Sequence, residues 1–116
     1  WGAANYFGGD ACYNLIEVIW MTFDIKLKTG FFKTRSYYLT IGQGRLVLTP
    51  QDDPDDSPLV IDSHQLQSIY LTGGEFEIIA DSIYTGSFAP QTNLTQLSYL
   101  LATEFGDKFS VQFELP

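Results

Sequence analysis

The sequence predicts a mainly β domain with one helix near its end, and three observations predict it. Short runs of alternating apolar and polar residues recur along the chain, separated by glycine, proline and aspartate turns. One segment, Leu94 to Phe105, breaks that rhythm with an apolar stripe at helical spacing. A last run, Phe109 to Leu115, then returns to strict alternation.

The first strand is Phe23 to Lys28. Phe23, Ile25 and Leu27 alternate with Asp24, Lys26 and Lys28, so the apolar set takes one face and the charged set the other. Thr29-Gly30 interrupts the run. Tyr37-Tyr38-Leu39-Thr40-Ile41 is rich in the aromatic and β-branched types that suit a pleated surface. Gly42-Gln43-Gly44 makes a tight loop, and Arg45 to Thr49 alternates again until Pro50 withdraws a ladder donor. Three consecutive antiparallel strands follow.

Gln51 to Pro58 holds four aspartates and two prolines and reads as a solvated loop. Its spacing lacks the glycine and closing glutamate of an EF-hand, so no metal site is expected there. Leu59-Val60-Ile61 and Leu66 to Leu71 are strands joined by a turn at Asp62-Ser63-His64. Thr72-Gly73-Gly74 leads into Glu75 to Ala80, Asp81-Ser82 turns, and Ile83 to Phe88 is the seventh strand. Strands this short and this often punctuated point to an antiparallel barrel or sandwich. Asn93 is placed to cap the helix, Gln96 completes a capping box, and Gly106 ends it. Leu94, Leu97, Leu100, Leu101 and Phe105 form its apolar stripe. Phe109, Val111, Phe113 and Leu115 then alternate as an eighth strand.

Residues 1–20 differ in character, and Gly8-Gly9 divides them. Two readings stand: a helix from Ala11 to about Trp20 capped by Asp10, or a strand from Leu15 into the first hairpin. The expected organisation is an extension over 1–20, native or upstream of a start at Met21, and a domain over 21–116.

Net charge is −8, which weighs against nucleic acid as a general partner. The charge is uneven. Lys26, Lys28, Lys33 and Arg35 are four of the six basic residues, leaving fourteen acidic against two basic elsewhere, or −12. A lone cysteine, Cys12, excludes an internal disulfide and a cysteine-based zinc cluster. A reduced, cytoplasmic setting fits that cysteine and an N-terminus without the basic start of a signal peptide. No apolar run approaches the roughly 20 residues of a membrane-spanning helix.

The order of seven strands and an amphipathic helix resembles the pleckstrin-homology superfold. Tyr37-Tyr38-Leu39-Thr40 with Arg45-Leu46-Val47-Leu48-Thr49-Pro50 resembles the second and third strands of its bacterial, GRAM-like branch. Leu59-Val60-Ile61 with Leu66-Gln67-Ser68-Ile69 resembles the fourth and fifth. The match covers about residues 23 to 105; the last strand and residues 1–20 depart from the plain pattern. The resemblance implies a bent, seven-stranded antiparallel barrel capped by the helix, with the final strand as an addition.

It also implies candidate residues. Members of that superfold that bind inositol phospholipids carry a lysine near the end of strand one. On strand two they carry a basic residue, a spacer, an arginine, a spacer and an aromatic. Lys28 and Lys33-Thr34-Arg35-Ser36-Tyr37 fit that order with a shorter gap, and Lys26 lies beside them. Residues 33 and 35 would project from one face opposite Lys28, three cations converging on a phosphate. Phe31 and Phe32 would then enter a membrane interface. The competing reading makes the cations a solvated hairpin face and buries both phenylalanines.

Other candidates are weaker. His64 follows Asp62-Ser63, but consecutive residues do not form a relay, and a surface turn histidine explains it. Cys12 has no base nearby in sequence. Glu75 and Glu77 share a strand face and suggest a solvated, aggregation-resistant edge. Asn93-Leu94-Thr95 matches a glycosylation pattern but is better explained as a cap. With no phosphate loop, metal cluster or nucleophile elbow, neither an enzyme nor a cofactor is expected. The leading expectation is a non-catalytic module acting through protein contacts, homo-oligomer formation included. The alternative is a peripheral binder of anionic lipid or inositol phosphate.

Overall fold

The structure, a computed structural model, describes residues 20–53 and 55–112. The sequence-based readings of residues 1–19, Cys12 among them, and of 113–115 lie outside these. The elements are β1 (Met21–Lys28), β2 (Thr34–Gly42), β3 (Arg45–Pro50), β4 (Leu59–Asp62), β5 (Ser68–Thr72), β6 (Glu75–Ile79), β7 (Ile83–Phe88), α1 (Leu94–Phe105), a 3-10 turn at Gly106–Lys108, and β8 (Phe109–Gln112). They form one bent sheet in the order β4-β3-β2-β1-β7-β6-β5-β8. The sheet stays open, with β4 and β8 as its edges. Every pairing is antiparallel except β5–β8, where the added strand runs parallel along the edge of β5.

Period-two alternation does what it predicts. Phe23, Ile25 and Leu27 of β1 are buried while Asp24, Lys26 and Lys28 are exposed. Leu39 and Ile41, Leu46 and Leu48, Ile69 and Leu71, Phe76 and Ile78 supply the same inner face from their strands. Boundaries shift for local reasons. Pro50 pairs in register with Tyr37 and is the last residue of β3, not the residue after it. Leu66 is buried but lies outside β5, because its N–H turns back to the Asp62 carbonyl at 3.1 Å.

The helix closes one end of the sheet. The Asn93 side chain accepts from the Gln96 N–H at 3.1 Å, and Gly106, at φ 56°, sends its N–H to the Ala102 carbonyl. Leu97, Leu100, Leu101 and Phe105 are buried in the same core as the strands. Glu104 accepts from the Gly44 N–H at 2.6 Å, which ties the helix to the β2–β3 turn. Lys108 donates to the Ser63 carbonyl and leads the chain toward β8.

One close approach had no warning in the local pattern. At Gly86, β7 passes so near β1 that a Cβ would overlap the Lys26 carbonyl oxygen and reach Phe76 Cζ at 2.8 Å. Only glycine fits there.

Candidate binding site at the open end of the sheet

Three connections share the end of the sheet opposite the helix. They are the β1–β2 tip, the β3–β4 loop and the β6–β7 turn, as the registers Lys28↔Thr34, Tyr37↔Pro50 and Ile79↔Ile83 require. The tip is a tight hairpin in which the Thr29 N–H donates to the Lys33 carbonyl at 3.0 Å. Phe31 and Phe32 stand at its apex, 100% and 99% exposed, with ring centroids 6.0 Å apart. The reading that buries them is therefore overturned. The pair has no alternation with a polar partner, so no strand face draws either ring inward. Ile83, at the start of β7, adds a third exposed apolar side chain at this end.

The cations do not converge as expected. Leu27 pairs with Arg35 and Lys28 with Thr34, so Arg35 shares the inner side of the hairpin with Leu27 and Tyr37. Lys26 and Lys28 point to the outer side, and Lys33 lies exposed in the tip. Arg35 is also already occupied. Its Nη2 lies 2.9 Å from Asp52 Oδ1 and 3.2 Å from Asp56 Oδ2, and its Nε donates to Asp52 at 3.0 Å. Its Nη1 donates to the Tyr37 hydroxyl at 3.3 Å, and the guanidinium stands 5.4 Å from the Tyr37 ring centroid.

The acidic loop is thus folded onto Arg35. Gln51 anchors it by donating its backbone N–H to the Ser36 carbonyl at 3.0 Å and its side chain to the Tyr37 carbonyl at 2.9 Å. The hydrogen bond from Arg35 holds the Asp52 carboxyl below the usual aspartate range. Asp53, Asp55 and Asp81 are exposed at the same end. With Asp52 and Asp56 they outnumber Lys28, Lys33 and Arg35, so the open end is net acidic around a basic, aromatic tip.

Beside the hairpin base lies a polar groove of about 430 Å³. Tyr70, Glu75, Glu77 and Thr85 line it from the outward side of β5–β7, with Phe76 and, from β1, Lys28. Glu75 and Glu77 do not guard an edge, since β6 lies between β7 and β5. His64 is exposed in the β4–β5 connection, a surface turn histidine. No helix among the described residues is long and apolar enough to cross a membrane.

Sheet order, helix position and open end together define a pleckstrin-homology-like fold. A chain in the structure of the Spt16D Pob3N heterodimer shares it at a TM-score of 0.62 and 10% identity, over 84% of this chain and 56% of that one. The N-terminal PH domain of the human ARAP2 protein shares it at 0.57 and 8% identity, over 84% and 89%. Identities this low establish the fold alone. This chain spans little more than half the length of the Spt16D Pob3N chain it matches. No protein-family model matches the sequence, and neither does any curated protein.

Proposed function

We propose that this chain is a non-catalytic binding module that works through protein contacts, self-association among them. The carrying observation is the pair Phe31 and Phe32, presented in the open on an ordered hairpin whose Arg35 is already bound by Asp52 and Asp56. Desolvating exposed aromatic anchors is how protein interfaces gain most of their affinity. The edge of β4, unpaired on its outer side among the described residues and with Leu59 and Val60 exposed, supplies a second surface suited to strand addition. That a structural neighbour was solved as a heterodimer supports protein contact as a mode open to this fold. Light scattering of the full chain over a wide concentration range tests the reading. Mass that rises with concentration, and falls when Phe31→Ser and Phe32→Ser are combined, supports it. A monomer throughout removes the self-association part.

A second reading has one observation in its favour: Lys33 adjoins the aromatic tip and Lys28 its base. Such a tip suits the interface of an anionic membrane, in a cytoplasmic, peripheral role. The aspartates at the same end oppose it. Sedimentation with anionic vesicles decides: binding that Lys28→Glu with Lys33→Glu abolishes would favour lipid, and no binding would remove it. The apolar patterning of β2 to β5 supports a place in the bacterial, GRAM-like branch. We take residues 21–116 as the module and 1–20 as an extension; a chain begun at Met21 that failed to fold would refute that division.

A further inference from the structure

The hairpin tip and the neighbouring groove have complementary character and belong to the same molecule. The tip offers two exposed aromatic rings followed by the ammonium of Lys33. The groove offers the half-buried ring of Tyr70 beside Glu75 and Glu77, two carboxylates against the single cation of Lys28. Within one chain the two do not meet, because nothing in the described residues covers Phe31 or Phe32.

We infer that the tip of one copy seats in the groove of a second copy, and the second copy's tip in the groove of the first. The inference rests on the protein-contact reading above and names its partner and its surface. Phe31 and Phe32 pack against the ring of Tyr70, and Lys33 reaches Glu75 and Glu77. Closure follows from adjacency: a two-fold rotation that brings one tip to the partner's groove brings the partner's tip to the first groove as well. Such an exchange stops at a dimer. Charge argues for this occupant over an anionic membrane. Each chain carries −8, so a partner gains at the tip only through a local contact of opposite sign within about 8 Å, the screening length in physiological salt. The groove is net negative over a small area and provides that contact, whereas an anionic bilayer extends across the whole open end and so meets Asp52, Asp53, Asp55, Asp56 and Asp81 together.

A charge-reversal exchange tests it on the full chain by sedimentation velocity. Lys33→Glu alone sets a negative tip against a negative groove, and Glu75→Lys with Glu77→Lys sets a positive tip against a positive groove. Each variant is expected to dimerise at least about tenfold more weakly than wild type, since like charges then face each other in a contact that excludes wrong partners. Mixing the two variants restores both contacts, and the expected result is a mixed dimer of near wild-type strength. Circular dichroism of each variant checks that the fold persists. A wild-type dimer that both variants leave intact, or a mixture that restores nothing, overturns the inference while self-association through the sheet edges stands. A wild type that stays monomeric up to millimolar concentration overturns both.

Discussion

The two ends of this sheet use apolar side chains in opposite ways. At the helix-capped end, Leu97 and the β2–β3 strand residues Ile41 and Leu46 are all 0% exposed, and the Glu104–Gly44 hydrogen bond fastens the lid. At the open end, Phe31 and Phe32 face solvent and the polar groups are spent on one another, Arg35 with Asp52 and Asp56. Hydrophobic residues therefore carry stability at one end and remain available for contact at the other. The same residue class takes both roles because burial depends on whether a neighbouring element covers it, and α1 covers only one end.

The strongest way to break this contrast is to cut apolar side chains from each end, one at the lid and two at the tip. Leu97→Ala removes a fully buried side chain and is expected to cost about 2–5 kcal/mol in urea unfolding, through lost transfer energy and the cavity left behind. At a dilution where the chain is monomeric, Phe31→Ser with Phe32→Ser is expected to stay within about 0.5 kcal/mol of wild type, as surface substitutions do. Equal losses at the two ends would mean that the tip is covered within the single chain.

Gly86→Ala sharpens the comparison in the body of the sheet, where β1 meets β7. The added methyl meets the Lys26 carbonyl, which is ladder backbone, and the ring of Phe76. Overpacking of this kind costs about 1–3 kcal/mol. Urea unfolding reads the loss. Smaller again is the lid's own cap. Asn93→Ala should cost about 1 kcal/mol in the same urea experiment, and Asn93→Asp should restore most of it.

What could be read from the amino-acid order divides along the same line. Strand positions, the α1 stripe and its Asn93 cap follow from periodicities of two and 3.6 and from cap chemistry, which are local and survive without neighbours. The parallel pairing of β8 with β5 was not legible, because alternation along Phe109–Gln112 assigns a strand without naming its partner. Nor was the fate of Arg35. Its partners lie 17 and 21 residues away in a loop whose composition suggested only solvation. The hairpin register also had to be known before Arg35 could be put on the side opposite Lys28. A run of acidic residues following β3 was the one available hint. Phe31-Phe32 offered no hint in either direction, since two adjacent apolar residues in a turn match neither period.

The acidic loop provides the smallest expected effect and the most direct check on the open end. Its hydrogen bond from Arg35 lowers the Asp52 carboxyl relative to an unfolded aspartate of about 4. A carboxyl depressed in the folded state contributes stability that is present above the unfolded value and is lost as pH falls through the folded one. The loop should therefore stay on Arg35 at neutral pH and loosen only in strong acid. Carboxyl-carbon NMR titration should find Asp52 below its unfolded value in wild type and back near it in Arg35→Gln. Both carboxylates are exposed, so the pairing is salt-sensitive, and raising the ionic strength should move the wild-type midpoint upward. An Asp52 that titrates normally in wild type would mean that Asp52 does not hold Arg35, and the contrast between a sealed end and a self-satisfied one would lose the shorter of the two Arg35 ion pairs.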